Sequence, residues 1–196
     1  MQPLVAHNAL ASIIFTAVFG CWLVFEIGLS SSRRPGGTVK RQDRGSAALI
    51  FGSMAVAFIL MDSIASHLTG AAIAAPRWVV FGAGIALAIA GFALRLSAIR
   101  ALGRSFIPVV GTRPDQDVVE SGPYRLIRHP SYSGALVIML GAALTFTNWL
   151  SLLAIVPPFI AYVYRGSVEE SALKDQLGNT YREYCRRTKR FIPFVY

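Results

Sequence analysis

Residues 9–29 read ALASIIFTAVFGCWLVFEIGL, an apolar block in which the only charged residue, Glu26, stands near the end. A helix that crosses a bilayer needs about 20 such residues, and similar blocks at 47–65 and 78–96 predict two further spans. The composition agrees, because 54% of the residues are hydrophobic and only 15% are charged, whereas soluble domains carry about 25% charged residues. The sequence therefore predicts an integral membrane protein and excludes a water-soluble globule.

The apolar stretch 132–164 is interrupted at Asn148 and contains Pro157 and Pro158. It is too long for one ordinary span and short for two, so it predicts a tight helical hairpin with spans at 132–147 and 149–164 and a proline-kinked second arm. The tail 165–196 has an apolar stripe with helical spacing, a bend expected at Gly178, and an apolar ending expected to pack back on the protein or the interface. We expect an all-α chain that forms one membrane domain over residues 1–196, with about five transmembrane helices, a loop at 100–130 and an amphipathic helical C-terminal cap.

The Lys and Arg residues are distributed unevenly along the chain. Five lie in the first loop, six between Arg95 and Arg128, and seven from Arg165 onward, which leaves only Arg77 on the other side of the predicted membrane. Because positive residues concentrate in cytoplasmic loops, this pattern predicts the N-terminus outside and the C-terminus in the cytoplasm. The net charge of +9 is explained by this topology and by anionic lipid headgroups, so no nucleic-acid partner is expected.

The densest polar cluster lies where the cytoplasmic loop enters the fourth span, and it reads GPYRLIRHPSYSG over residues 122–134. Pro130 suits the first turn of a helix, where unpaired N–H groups favour an anionic ligand. An imidazole, a phenol and a glycine together at a helix start favour a functional site. Anchoring of Arg125, Arg128 and His129 at lipid headgroups is the alternative.

A second cluster, formed by Arg165, Glu169 and Glu170, directly follows the predicted fifth span. Residues four apart lie on the same face of a helix, so Arg165 and Glu169 can pair or can present both charges to one ligand. Arg95 stands at the end of the third span on the same side, where it either snorkels to the interface or enters a shared cavity. The two cysteines have no spacing typical of metal ligands, so no metal site is predicted.

Together these motifs resemble the membrane methyltransferases of the isoprenylcysteine carboxyl methyltransferase type. The shared pattern is an arginine late in a span, Leu102-Gly103, Gly-Pro-Tyr-x-x-x-Arg-His-Pro-x-Tyr-x-Gly, an apolar hairpin, Arg-x-x-x-Glu-Glu-x-x-Leu, and Gly-x-x-Tyr-x-x-Tyr. It covers roughly Arg95 to the C-terminus, and the first two spans carry no recognisable motif. The resemblance implies S-adenosylmethionine as the cofactor, bound on the cytoplasmic side between the hairpin and the tail.

The resemblance also implies roles for individual residues. The implied cofactor-binding residues are His129, Pro130, Tyr132, Gly134, Glu169, Glu170, Tyr181 and Tyr184. The implied catalytic residues are Arg95 and Arg165, which would hold the acceptor carboxylate, and Tyr132 near the reacting centre. A carboxylate acceptor is already ionised at neutral pH, so it needs positioning and exclusion of water more than it needs a base.

The expected reaction is carboxyl methylation of an isoprenylcysteine-like substrate, either a lipophilic small molecule or a prenylated partner, among membrane lipids. Members that methylate phospholipid amines or small thiols are the first alternative, and an amine acceptor would require a nearby base such as His129 or a glutamate. Two hypotheses from other classes are a non-catalytic lipid-binding membrane module and a nicotinamide-dependent membrane reductase. Binding of S-adenosylhomocysteine separates the enzyme from the module, and tight binding of a nicotinamide cofactor would identify the reductase.

Overall fold

The computed structural model describes residues 3–32, 40–41, 43–103, 111–112 and 117–193. The α-helices in these ranges are α1 (Leu4–His7), α2 (Ala9–Ser32), α3 (Ser46–His67), α4 (Arg77–Leu102), α5 (Pro130–Thr145) and α6 (Val156–Arg187). Short 3-10 helices cover Thr69–Ala71, Gly122–Arg125 and Leu150–Ile155. Strand β1 (Lys40–Arg41) pairs antiparallel with β2 (Gly111–Thr112). The predicted all-α class is confirmed, and this two-residue ladder is a minor addition to it.

Within the described ranges, four helical segments are long and apolar enough to cross a membrane, namely α2, α3, α4 and the segment Leu150–Arg187. The first three contain the predicted spans 9–29, 47–65 and 78–96. The predicted span 132–147 corresponds to α5, which has 16 residues and is therefore about 24 Å long. This is shorter than the roughly 30 Å hydrocarbon core of a bilayer, so α5 can reach most but not all of the way across.

The predicted fifth span and the C-terminal cap are one continuous structure. A 3-10 helix at Leu150–Ile155 leads directly into α6, which continues past Tyr164 to Arg187. The predicted amphipathic segment after residue 164 is thus a direct continuation of this helix, and the predicted span end at 164 stays a prediction. The predicted proline kink is wrong, since Pro157 and Pro158 occupy the first turn of α6, where no N–H partner is lost. The expected bend lies at Gly178, whose φ of 55° and ψ of −124° break the helical geometry.

The hairpin turn between α5 and the last helical segment lies at Asn148, as predicted. The Asn148 side-chain amide donates to the carbonyl of Leu68 at 2.9 Å, and its side-chain oxygen accepts from the amide of Leu150 at 2.9 Å. These two bonds satisfy backbone groups at the turn and attach it to the end of α3.

Helices α4 and α5 approach each other closely through two glycine pairs. A Cβ atom on Gly84 would lie 2.7 Å from the carbonyl oxygen of Gly141, and one on Gly134 would lie 2.7 Å from that of Gly91. Only glycine allows two helix backbones to come so near. The interpretation of Gly82 and Gly84 as helix-packing residues holds for Gly84, whereas a Cβ on Gly82 would meet nothing within 4 Å.

The chain that follows α6 returns to the start of α5. The amide of Arg128 donates to the carbonyl of Lys189 at 2.8 Å, and the amide of His129 donates to that of Arg190 at 3.0 Å. Phe191 is buried and its ring lies 5.6 Å from the His129 ring. The expected return of the apolar ending is therefore confirmed at Phe191, while residues 194–196 lie outside the described part of the chain.

Candidate active site

A cavity of about 210 Å³ lies among helices α2 to α6. Its wall from α2 and α3 is largely apolar and includes Leu29, Ala47, Ile50, Phe51 and Met54. The remaining wall carries charged and aromatic side chains, among them Arg95, Tyr124, Arg128, His129, Tyr132, Arg165, Glu169, Tyr181 and Tyr184. One cavity thus presents an apolar surface and a charged surface side by side, which suits an amphipathic ligand.

Tyr132 connects the two charged groups of α6 that face the cavity. Its hydroxyl donates to Glu169 Oε2 at 2.7 Å and accepts from Arg165 Nε at 3.0 Å. Arg165 and Glu169 are one helical turn apart, as their spacing predicts. The tyrosine of α5 therefore holds a cation and an anion of α6 in a fixed relation.

His129 lies against the same tyrosine. The two rings are stacked with an interplanar angle of 5° and centroids 5.2 Å apart. His129 Nε2 is 3.2 Å from Glu170 Oε1, and His129 Nδ1 is 3.7 Å from Glu169 Oε2. Gly166 leaves room for the imidazole, because a Cβ there would lie 3.3 Å from His129 Nε2. The imidazole is thereby fixed between both carboxylates.

The adjacent carboxylates Glu169 and Glu170 have different surroundings. Glu170 has a side chain that is only 2% exposed, and it accepts from Arg128 Nε at 2.9 Å and from Arg190 Nη2 at 2.9 Å. Glu169 has a side chain that is 35% exposed and lines the cavity, whereas Glu170 does not. Glu170 therefore links α6 to Arg128, which precedes α5, and to Arg190, which follows α6. Glu169 is the carboxylate that a ligand in the cavity can reach.

Arg95 is held by a carboxylate that the motifs did not indicate. Its Nε and Nη2 each donate to Glu26 at 2.5 Å, and its Nη1 donates to Ser131 Oγ at 2.7 Å. Trp22 Nε1 also donates to Glu26, at 2.9 Å. Arg95 and Glu26 both line the cavity and are both buried. In the sequence, the role of Glu26 was indicated only by its being a charged residue inside an apolar block, where a charge needs a partner.

Arg165 is also paired with a carboxylate, that of Asp43, which lies just before α3. Arg165 Nη1 donates to Asp43 Oδ1 at 2.9 Å and to Ser46 Oγ at 3.0 Å. Partial burial alone would raise the pKa of Asp43, but hydrogen bonds from Ser46 and the Ala47 amide and the charge of Arg165 outweigh it and hold this pKa below its ordinary value. Asp43 is thus an ionised residue at neutral pH, and no motif or spacing in the sequence indicated its role.

The structure brings most of the predicted site residues to the cavity wall. Those that line it are Arg95, His129, Tyr132, Arg165, Glu169, Tyr181 and Tyr184. Three of the predicted cofactor contacts do not line it: Pro130 is buried at the start of α5, Gly134 packs against α4, and Glu170 is enclosed by cations. The amides of Arg128 and His129, which precede α5, donate to the carbonyls of Lys189 and Arg190, and the expected binding of an anion at the first turn of α5 stays a prediction.

The protein is thus an apolar helical bundle that encloses a cavity with ionic and aromatic walls, an architecture that suits an integral membrane enzyme. Residues 79–180, which are just over half of the chain, match the profile of the phospholipid methyltransferase family. The chain belongs to this family of membrane methyltransferases. The match extends from α4 into α6 and therefore includes the α5 motif and both glutamates, but not Glu26 or Asp43.

Its relatives specify the family further. Protein-S-isoprenylcysteine O-methyltransferase B of Arabidopsis thaliana is 35% identical over 122 residues, which cover 61% of this chain and 62% of that protein. A probable protein-S-isoprenylcysteine O-methyltransferase of Oryza sativa subsp. indica is 30% identical over 148 residues, which cover 72% of this chain and 75% of that protein. The fold is similar to the solved structure of a eukaryotic intramembrane Ras methyltransferase, an isoprenylcysteine carboxyl methyltransferase, with a TM-score of 0.58 and 20% sequence identity. The superposition covers 97% of this chain and 70% of that one. The resemblance seen in the motifs is confirmed for the family and the fold.

Proposed function

We propose that the protein transfers a methyl group from S-adenosylmethionine to the carboxylate of a lipophilic, prenylcysteine-like acceptor. The observation that carries this proposal is the cavity in which an apolar wall from α2 and α3 meets the linked residues Arg165, Tyr132 and Glu169. An acceptor with a hydrocarbon tail and a carboxylate has the same two chemical halves. The names of the plant relatives support the same substrate class.

The side chains of the polar wall fit such a cofactor chemically. Glu169 offers a reachable carboxylate to a cationic amino group or sulfonium, and Tyr181 and Tyr184 offer aromatic surface to a purine. When bound, S-adenosylmethionine supplies a methyl group on a positively charged sulfur. Tyr132 fixes the orientation of Glu169 through its 2.7 Å hydrogen bond, so the carboxylate is prepared for the ligand before binding.

The acceptor carboxylate needs to be oriented and shielded from water. A carboxylate is ionised at neutral pH, so the chain need not supply a base for it. Guanidinium groups in the wall can hold such a carboxylate by paired hydrogen bonds. The apolar side chains of Ile50 and Met54 exclude water from the same space, which strengthens the electrostatic interactions inside the cavity.

We also propose that the site opens toward the cytoplasm. The sequence predicts the basic residues of the first loop, of residues 95–128 and of the tail on one side of the membrane, and the end of α4 that borders the cavity, at Arg95 and Leu102, is the end opposite Arg77. This asymmetry supports a cytoplasmic C-terminus by the positive-inside tendency.

A phospholipid amine is the second candidate acceptor, because the matched family is described as phospholipid methyltransferases. Such an amine must lose a proton before it attacks. His129 lines the cavity, but both of its ring nitrogens already face carboxylates, with Nε2 3.2 Å from Glu170 and Nδ1 3.7 Å from Glu169. The guanidinium groups of Arg95 and Arg165 in the same wall favour an anionic carboxylate acceptor over a cationic amine.

The proposal is tested with purified protein, labelled S-adenosylmethionine and either farnesylcysteine or phosphatidylethanolamine as acceptor. We expect label on farnesylcysteine in a form that base hydrolyses to methanol, as a methyl ester requires. Base-stable label on the phospholipid would favour the amine instead. Protein that binds S-adenosylhomocysteine but labels no acceptor carboxylate would contradict the proposed reaction.

A further inference from the structure

The Nε2 atom of His129 faces a carboxylate that can only accept a hydrogen bond. Glu170 Oε1 lies 3.2 Å from this nitrogen and also accepts from Arg128 Nε at 2.9 Å and from Arg190 Nε at 3.1 Å. Two guanidinium groups keep the buried Glu170 carboxylate ionised, and an ionised carboxylate has no proton to donate. The hydrogen bond between the two side chains therefore requires an N–H group at His129 Nε2.

The Nδ1 atom of His129 faces the other glutamate at a greater distance. It lies 3.7 Å from Glu169 Oε2, which is too long for a hydrogen bond. Glu169 Oε2 accepts instead from the Tyr132 hydroxyl at 2.7 Å. A neutral imidazole that donates from Nε2 carries an acceptor lone pair on Nδ1. His129 Nδ1 and Glu169 Oε2 are then two acceptors side by side.

These two acceptors lie at the cavity, whereas Glu170 lies behind its wall. His129 and Glu169 both line the cavity, but Glu170 does not, and its side chain is only 2% exposed. Two acceptors that are 3.7 Å apart can share one cationic donor, because an ammonium group has several N–H bonds that point in different directions. The amino group of the proposed methyl donor has this chemistry.

The chain that follows α6 keeps the imidazole and Glu170 in this relation. Arg190 donates to both oxygens of Glu170, from Nε to Oε1 at 3.1 Å and from Nη2 to Oε2 at 2.9 Å. The carbonyl of Arg190 accepts from the amide of His129 at 3.0 Å, and the Phe191 ring lies 5.6 Å from the imidazole. The family match ends at residue 180, so this support comes from a part of the chain that lies beyond it.

We infer that Glu170 and Arg190 are positioning residues that hold His129 as the Nε2–H tautomer, so that His129 Nδ1 and Glu169 together accept the ammonium group of the methyl donor. The inference rests on the proposed function for the identity of the ligand, whereas the tautomer follows from contacts within the protein. A buried partner at one ring nitrogen commonly fixes the role of the other. The two adjacent glutamates thus have complementary tasks, since Glu169 contacts the ligand and Glu170 sets the imidazole.

The tautomer is measured by nitrogen-15 NMR of the ligand-free protein in lipid, labelled only in histidine, at about pH 8, where a typical histidine is neutral. The chain has three histidines, and the signals that are missing in His129→Gln belong to His129. We expect a protonated Nε2 and an unprotonated Nδ1. His67 gives the opposite reference, because its Nδ1 lies 2.8 Å from the carbonyl oxygen of Ser63 and has to donate to it.

Glu170→Gln should lose the preference for the Nε2–H tautomer, because its side-chain amide can itself donate to Nε2. The wild-type spectrum decides the tautomer even if this variant does not fold. A proton on Nδ1 of His129 in the wild-type protein, alone or together with one on Nε2, would overturn the inference.

Binding measurements separate a ligand contact at Nδ1 from a purely structural role of the imidazole. In His129→Asn the side-chain amide can occupy the position of Nδ1, whereas in His129→Gln it can occupy that of Nε2 and keep the bond to Glu170. We expect S-adenosylhomocysteine to bind about tenfold more weakly to His129→Gln than to wild type, with His129→Asn in between. The deamino analogue of S-adenosylhomocysteine, which has no ammonium group, should bind all three proteins with similar affinity.

His67→Gln is the matched control, since His67 is exposed at the end of α3, and it should leave both affinities unchanged. If His129→Gln bound S-adenosylhomocysteine as tightly as wild type does, Nδ1 would take no part in binding and the inference would be overturned. Wild-type protein that did not bind S-adenosylhomocysteine would count against the proposed function instead, and the ligand-free spectrum would still decide the tautomer.

Discussion

Glu169 and Glu170 are neighbours in sequence, but consecutive residues of a helix point about 100° apart, and here one faces the cavity and the other a cluster of cations. Glu169→Gln should weaken the binding of S-adenosylhomocysteine by about tenfold or more, the scale of one charged hydrogen bond. It should leave the melting temperature nearly unchanged, because this side chain is partly exposed. Calorimetry and thermal unfolding in the same detergent give both quantities.

Glu170→Gln is the matched control at the adjacent position. The loss of the Glu170 carboxylate leaves Arg128 and Arg190 without the buried anion that they share. We therefore expect a destabilisation of about 3 kcal/mol and a clear drop in melting temperature. If the two variants lowered affinity and stability to the same extent, the distinction between a ligand-facing and a structural carboxylate would be wrong.

The hydroxyl of Tyr132 joins the proposed donor and acceptor sides of the cavity. Tyr132→Phe keeps a ring that can stack on His129 but removes the bonds to Glu169 and Arg165. We expect kcat/KM to fall by at least about tenfold, since even one lost bond to a charged group contributes about 1.5 kcal/mol or more. Tyr162→Phe removes a hydroxyl elsewhere on the same wall and should have a smaller effect. Equal activity of Tyr132→Phe and wild type would show that the bridge is dispensable.

At the scale of elements, the antiparallel contact of α4 and α5 sets the position of the α5 motif. Gly134→Ala would place a Cβ 2.8 Å from the amide nitrogen of Arg95 as well as 2.7 Å from the Gly91 carbonyl. The helices would have to separate, and overpacking of this kind costs about 2 kcal/mol. Thermal unfolding should therefore show a marked loss of stability. Reduced S-adenosylhomocysteine binding should accompany it, because α5 carries His129 and Tyr132 to the site.

Gly82→Ala provides the control on the same helix. A Cβ at this position meets nothing within 4 Å, and alanine favours a helix over glycine by about 1 kcal/mol. Its stability should match or slightly exceed that of wild type. A Gly134→Ala variant as stable as Gly82→Ala would contradict the close approach of the two backbones.

How far each element could be predicted depends on whether its signal is local. The spans at 9–29, 47–65 and 78–96 were predictable because an uninterrupted apolar run is itself the physical requirement for crossing a bilayer. The unbroken continuation of α6 past Tyr164 was not, since charges beginning at Arg165 look the same in sequence whether a helix stops or continues with a polar face. The bend at Gly178 carried its own signal in the conformational freedom of glycine.

At the scale of the whole molecule, the site residues also divide into those with a local signal in the sequence and those whose role depends on contacts between distant segments. His129 and Glu169 were identified because each belongs to a short cluster of polar residues that is visible in the sequence. The pairing of Glu26 with Arg95 joins residues far apart in sequence, and only the packing of α2 against α4 determines it. Asp43 was missed for the same reason, and Gly134 was assigned to the cofactor because a motif glycine does not reveal which neighbour requires it.

The orientation of the whole molecule follows from its charge and can be measured directly. Eighteen of the nineteen Lys and Arg residues fall on one predicted side, with Arg77 as the exception, so reversal would require translocation of nearly all the positive charge. A fluorescent protein fused after Tyr196 should mature in the cytoplasm, and alkaline phosphatase at the same point should be inactive. The same reporters fused after Ala75, between α3 and α4, should give the opposite pattern. Phosphatase activity at Tyr196 would put the C-terminus outside, and the cavity that α6 lines would then face away from the cytoplasmic pool of methyl donor.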